Sequence, residues 1–519
     1  MEKARRKRKE WLVWGGLLLL LAYFPLFLHL ENLPLKKWDE SLFAVRALYL
    51  LDEGDILFDY RDYHPDAPWY LSTKPPFTTL LQTASFAVLG PTPLALRLPI
   101  ALMGLGCVVG VFGFAVRVWG SPPAGFLAGW MLVSAPGFID EHVARTGDQD
   151  VALTFYMLGA LLAFFHFERA QDPRKSLPAL VLFTFFLIAG TLTKNVMALL
   201  FLPGMVAYVW HRGRLVALLR RKAVWLAAAL VLLAFGGYYL WQEWRHPGFL
   251  FSVWDYELRR VRYSFSGHGT GALFYLREFW SGEFFPFLLL LLPYLVPRIA
   301  RRLFERYPGS DLVLFAALGH LLVLSVSASK AEWYEAPEYP LWSLAAAPVL
   351  VEGLQWLHAR LPGPPLLNLS AGGLVVLGLF FFPYKTCVER AYHPKPAQSD
   401  ERYGPFLRLL ESRRLLPERF TIPINRFNGH AVFYAGLYQR RHGRRVRIVE
   451  RTLRRKTDPR TRFAVGESVV VCHDHIRRRL ERFFHTRPRA HDDHCLYLEI
   501  TGIKEVEGFP LPPGKTSGQ

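Results

Sequence analysis

Residues 94–116 read LALRLPIALMGLGCVVGVFGFAV, an apolar run whose one charge, Arg97, stands near its start. About 30 Å of hydrocarbon takes roughly 20 residues of helix, so this stretch is long enough to cross a bilayer. The pattern recurs through the first three quarters of the chain. Spans are expected near 11–30, 94–116, 122–139, 151–167, 177–193, 195–210, 223–241, 284–297, 312–328, 338–356 and 367–383, about eleven in all. The fold class that follows is a polytopic α-helical membrane protein.

Short loops rich in Lys and Arg stay cytoplasmic. The opening MEKARRKRKE is one, and alternation then puts ERAQDPRK, WHRGRLVALLRRK, PRIARRLFERYPGSD and LHARLPG on the same side. No A-x-A-like cleavage site follows the first apolar run, so 11–30 reads as an uncleaved span with its N-terminus inside. Outer loops are expected at about 31–93 and 242–283. The reading places these two loops outside the cytoplasm.

The chain is 52% hydrophobic and 15% aromatic, yet its mean hydropathy is only +0.16. A soluble tail accounts for the dilution. From about Lys385 the apolar runs stop. FTIPIN, RVRIVE, ESVVVC and CLYLEI read as strands, and GHAVFYAGLYQRR and HIRRRLERFF as helices. Residues 1–384 are therefore expected to form a membrane domain, and 385–519 an extracytoplasmic α/β domain of ordinary size.

The net charge of +19 suits anionic lipid headgroups at the basic loops and anionic ligands at the tail. Nucleic acid is not an expected partner on the outer face. Cys107 reads as packing within a span. Cys472 and Cys495 can meet at the ends of two strands, and a disulfide or free thiols suit them better than metal, because the nearby histidines match no standard zinc spacing.

The first outer segment begins WDESLFAVRALYLLDEGD, where Phe43, Ala47, Leu50 and Leu51 recur at helical spacing, a pattern suited to a helix lying along the interface. Asp39 and Glu40 would head it, as an N-cap and a first-turn acid if nothing more. Further on, Lys74 precedes Pro75 and Pro76, and snorkelling to lipid phosphate would explain it alone. Taken together, however, D-E, G-D at Gly54 and Asp55, K-P-P, F-x-x-L-G from Phe86 to Gly90 and A-x-R-L-P from Ala95 to Pro99 follow one another in an order that resembles the bacterial polyprenyl-phosphate-sugar glycosyltransferases of GT-C type. This family contains the lipid A aminoarabinose transferases and, more distantly, the protein O-mannosyltransferases. ARTGDQDVALTF, GTLTKNV and SASKAEWYEAP extend the resemblance through Arg145, Asp150, Lys194, Lys330 and Tyr334.

The resemblance implies an integral membrane glycosyltransferase that moves a sugar from a polyprenyl-phosphate donor to a hydroxyl on a lipid A or oligosaccharide, wall-polymer or protein acceptor. The chain departs from the family at Phe43, usually Tyr, and at Asn195, usually Gly. Thr73 stands where aminoarabinose transferases often have a Glu that helps bind zinc. His268 resembles a family His near that ion. No cofactor is required by the reading, and a divalent metal ion at His268 or at Asp148, within the D-x-D of Asp148 to Asp150, stays open.

The chemistry can be argued from the residues. A sugar on a lipid phosphate already carries a good leaving group. Its transfer needs one carboxylate to take the acceptor's proton and cations to stabilise charge growing on the phosphate. Asp39 is the expected base, with Glu40 beside it and Asp150 as a second carboxylate. Lys74, Arg145, Lys194, Lys330, Arg259 and Arg262 are the expected phosphate-side cations, and Tyr334 a substrate contact. Arg259, Arg260 and Arg262 also suit a solvated helix face. One base attacking opposite the leaving phosphate implies inversion. The rival class is a transporter or flippase for a lipid-linked sugar, which would place its ionisable groups at mid-bilayer in repeated halves; here they gather at one interface.

Overall fold

A computed structural model describes residues 2–37, 39–54, 73–170, 172–259, 263, 271–361, 365–424, 428–443, 445–450, 458–507 and 509. His268, Arg260 and Arg262 lie outside the described residues, as does Asp55. The chain divides into two compact units. One comprises Met1–Leu30, Thr73–Thr78 and Leu98–Pro394, the other Glu31–Ser72, Thr79–Arg97 and Lys395–Gln519.

The first unit is helical. Six described helices are long and apolar enough to cross a membrane: Lys9–Phe27, Pro93–Val118, Asp150–Arg169, Ser176–Leu199, Lys222–Arg245 and Ser370–Tyr392. They coincide with six of the expected spans. The remaining five are shorter, interrupted or more polar. Residues 122–139 break after Val133 into two helices, with Pro136 starting the second. The 195–210 run opens as a 3-10 turn, Asn195–Leu199. The 284–297 run is the 3-10 helix Phe287–Leu295, bounded by Pro286 and containing Pro293. Proline removes the helical N–H and clashes with the preceding turn, so hydropathy alone overstates helix length. Ser310–Val326 is simply shorter, and Glu338–Arg360 carries Pro348 and several charges.

Leu232, Leu233, Leu240, Trp241 and Trp244 of the Lys222–Arg245 helix stand exposed. An apolar face of that size is untenable in water and is what acyl chains cover. Inside, small residues set the helix spacing. A Cβ on Gly204 would fall 2.0 Å from the Phe315 carbonyl oxygen, so glycine lets the Leu202–His211 and Ser310–Val326 helices touch backbone to backbone.

The second unit is built on a five-stranded sheet: β1 (Arg419–Ile424), β2 (Arg445–Glu450), β3 (Ser468–Val471), β4 (Phe484–His491) and β5 (Leu496–Ile503). Its order is β2-β1-β3-β5-β4. β1 runs parallel to β2 and β3, while β5 is antiparallel to β3 and β4. Four strands match the sequence reading. β4, FHTRPRAH, was not expected, because its Arg, His and Pro content hides the alternation. Cys472 and Cys495 form a disulfide.

The Asp39–Glu53 helix, whose spacing suggested an interfacial surface, has a protein partner for its apolar face. The helix buries Phe43, and it places Ala44, Val45, Ala47 and Leu48 in a core shared with Phe433, Tyr434 and Leu437 of the Gly429–His442 helix. A segment far along the chain supplies the apolar partner that lipid was expected to supply.

Polar contacts also tie the outer segment to the tail within this unit. Lys37 pairs with Asp400, and its backbone N–H donates to Glu401 at 3.2 Å. Burial alone would raise the Asp400 carboxyl, but hydrogen bonds from His473 and Lys37 outweigh it and hold the group at about 2. Because the folded value is depressed, the stabilisation is present above the unfolded carboxylate's value of about 3.9 and disappears as pH falls towards 2. It amounts to about 2 kcal/mol. Asp400→Asn should therefore flatten the fall in melting temperature between about pH 4 and pH 2, as scanning fluorimetry would read. An unchanged profile would assign that acid sensitivity to other groups.

Candidate active site

In the first unit, the polar residues collect where two long helices begin and end. Asp150 opens the Asp150–Arg169 helix, and Lys194 closes Pro173–Lys194. The two side chains form a buried ion pair. The Lys194 ammonium also stands 4.8 Å from the centre of the Tyr334 ring, within cation–π range. The chain leaves Lys194 through Asn195 at φ +48° and ψ −138°. Side chains rarely adopt that conformation, and Asn tolerates positive φ better than most, so the family's glycine and this Asn meet one backbone demand.

Around this pair, Trp333 adjoins Tyr334 and stacks on His142 with ring centres 4.2 Å apart. His142 Nδ1 lies 3.5 Å from Asp148 Oδ2, which accepts a hydrogen bond from Thr146 at 2.5 Å. Asp148 Oδ1 is buried with no hydrogen-bond partner among the described residues. Asp148 and His142 are thus donors of the kind that hold a divalent ion. His142 and Trp333 were not read from the sequence, because their proximity depends on two loops meeting.

Other expected cations have different company. Lys74 is buried and pairs with Glu257 at 3.2 Å, and Thr73 donates to the same carboxylate at 2.9 Å. Thr73, at the position of the missing Glu, is therefore a donor to an acid. Glu257 also escaped the sequence reading. Lys330 donates to the Ser327 carbonyl, and burial lowers its pKa.

Arg145 donates to the carbonyls of Pro25 and Leu28, at 2.7 and 2.8 Å. These are bonds that finish the end of the first helix, a structural use of a residue expected to hold phosphate. Arg259 is exposed and pairs with Asp255 one turn away, in line with the solvated-face alternative.

In the second unit, Asp39 and Glu40 differ sharply. Glu40 is fully buried: Arg97 Nε and Nη2 grip its two oxygens at 2.6 and 2.8 Å, and the Lys36 N–H donates at 2.7 Å. Arg97 further donates to the carbonyls of Leu33 and Pro34. Glu40, expected in the catalytic set, has its lone pairs committed to holding the segment before the helix. Arg97 lay in view as the arginine of A-x-R-L-P, but its partner could not be read. Asp39 is half-buried in the first turn, and its carboxylate has no hydrogen bond or ion pair within the described second unit.

The architecture has solved counterparts. ArnT from Cupriavidus metallidurans, in a crystal structure bound to undecaprenyl phosphate, superposes with a TM-score of 0.68 at 17% identity, covering 94% of this chain and 98% of that one. The chain has the GT-C fold. The archaeal oligosaccharyltransferase AglB from Archaeoglobus fulgidus is a more distant counterpart of that fold, with a TM-score of 0.55 at 12% identity over 86% of this chain and 65% of its own. Residues 73–241 match the family described as dolichyl-phosphate-mannose-protein mannosyltransferase. That stretch contains Lys74, Arg145, Asp148, Asp150 and Lys194. "Putative mannosyltransferase YkcB" of Bacillus subtilis (strain 168) is 28% identical over 222 residues, 42% of this chain. The match spans 29% of the length of that curated relative.

Proposed function

We propose that the protein is an integral membrane glycosyltransferase that takes a sugar from a polyprenyl-phosphate donor and gives it to a hydroxyl acceptor on the extracytoplasmic face. The observation that carries this reading is the buried Asp150–Lys194 pair beside Tyr334, in a stretch matching a lipid-phosphate-mannose transferase family. The undecaprenyl phosphate bound by the similar ArnT structure supports the donor class.

In the proposed step the acceptor oxygen attacks the anomeric carbon as the bond from that carbon to the phosphate oxygen breaks. The acceptor proton passes to Asp39, and the bonding pair leaves with the phosphate. Lys74 and Lys330 balance the charge that grows there, and a cation aimed at developing charge lowers the barrier more than one aimed at the resting substrate. Lys194 carries its charge between Asp150 and the Tyr334 face, so it orients the site.

Incubation of the detergent-purified protein with a synthetic polyprenyl-phosphate-mannose and a panel of hydroxyl acceptors tests the reading. Release of polyprenyl phosphate with a glycosylated product of opposite anomeric configuration is expected. Retained configuration would reject direct displacement. Donor crossing a proteoliposome bilayer with no release of polyprenyl phosphate would replace the transferase with a flippase.

A further inference from the structure

The α/β unit contains a cavity of about 580 Å³ at the leading ends of β1 and β2. Arg419, Arg445, Arg447 and Arg462 line it, with Glu467 the one carboxylate among the lining residues. The strand register explains how the charges meet. Arg419 lies opposite Arg445, and Thr421 opposite Arg447. Residues two apart in a strand share a face, as do neighbours in register. Arg419, Thr421, Arg445 and Arg447 therefore stand on one face of the sheet.

The cavity is built, because one of its arginines is held in place. Arg447 Nε donates to Thr421 Oγ1 at 3.2 Å, its Nη2 donates to the Arg462 carbonyl at 2.9 Å, and it pairs with Glu467. Arg419 and Arg445 are exposed and have no ion pair among the described residues. Like charges placed opposite one another on adjacent strands destabilise a sheet. Charge on an exposed edge strand is a known guard against aggregation, and β2 is an edge. β1 is not, so edge protection leaves Arg419 unexplained. A bound anion removes the repulsion and matches the forked donors of guanidinium.

We infer that this cavity binds the phosphate group of a phosphorylated saccharide. Its volume lies in the range of small-molecule sites, roughly 300–1,000 Å³, and inorganic phosphate would leave most of it empty. The hydroxyls of Thr461 and Ser468 on its wall are engaged with the Asp458 carbonyl and the Tyr497 hydroxyl and keep lone pairs that can accept from a polyol. The site lies wholly within one unit, and the inference holds whether or not the chain transfers sugar.

Calorimetric titration of the full-length protein in detergent with glucose 6-phosphate, inorganic phosphate and glucose tests it. Saturable binding of glucose 6-phosphate is expected, at least tenfold tighter than inorganic phosphate, with no heat from glucose. The Arg419→Gln/Arg445→Gln variant, altered at two exposed positions and so expected to fold, should bind at least tenfold more weakly. Arg447→Lys supplies a second variant that keeps the charge and loses the fork, and it too should weaken binding. Inorganic phosphate binding as tightly as the sugar phosphate would overturn the saccharide assignment. Absent binding, or binding unchanged in the double variant, would overturn the site.

Discussion

Asp39→Asn is expected to lower sugar transfer by about a thousandfold, within the range that removal of a general base produces, while the melting temperature stays within about a degree. Asparagine keeps the shape of aspartate and serves a helix N-terminus about as well, so the helix should not sense the change. Asp39 is the better of two adjacent acids for the role, because Glu40 has its oxygens filled by Arg97 and the Lys36 N–H. The check is turnover of a synthetic polyprenyl-phosphate sugar, together with mass spectrometry of lipids that co-purify with each form. Accumulation of an intact sugar-bearing donor on the variant is expected. Undiminished turnover would take the base role away from Asp39.

Arg97→Ala should do the reverse, acting on stability first. It would leave Glu40, at 0% exposure, without the guanidinium that holds both of its oxygens. Breaking a buried pair by removing one partner costs about 3–5 kcal/mol, enough to threaten a unit of ordinary stability. Arg97→Lys keeps the charge but cannot bridge both carboxylate oxygens and two carbonyls at once, so a partial loss is expected. Joint replacement by Glu40→Leu and Arg97→Met should recover more stability than Arg97→Ala, because no charge is then stranded. Scanning fluorimetry of the four forms reads this. A Glu40→Gln protein that melts normally but fails to transfer sugar would return Glu40 to the chemistry.

The contrast between these neighbours shows how much of the site was legible. Their place at a helix start could be read from WDESLFAVRALYLL, and so could the order of motifs that follows. Which acid was free could not, since the answer sits on Arg97, 57 residues away. Lys74 and Glu257 repeat the lesson across 183 residues, and Arg145, recognised by motif, turns out to finish a helix. β4 was missed for another reason: its pattern of exposed Arg and His carries no apolar alternation to read.

What the sequence determined by itself is the membrane class, the α/β tail and the motif set that points to lipid-phosphate sugar chemistry. These depend on properties summed over neighbouring residues, such as hydropathy over some twenty positions or alternation over a strand. Tertiary structure alone decided the Cys472–Cys495 disulfide, the joining of residues 31–72 and 79–97 with the tail in one compact unit, the shortening of runs containing proline, and the partner of every buried charge. A buried charge must be paired wherever the fold brings a partner, and the distance along the chain to that partner is set by topology, which no local pattern records.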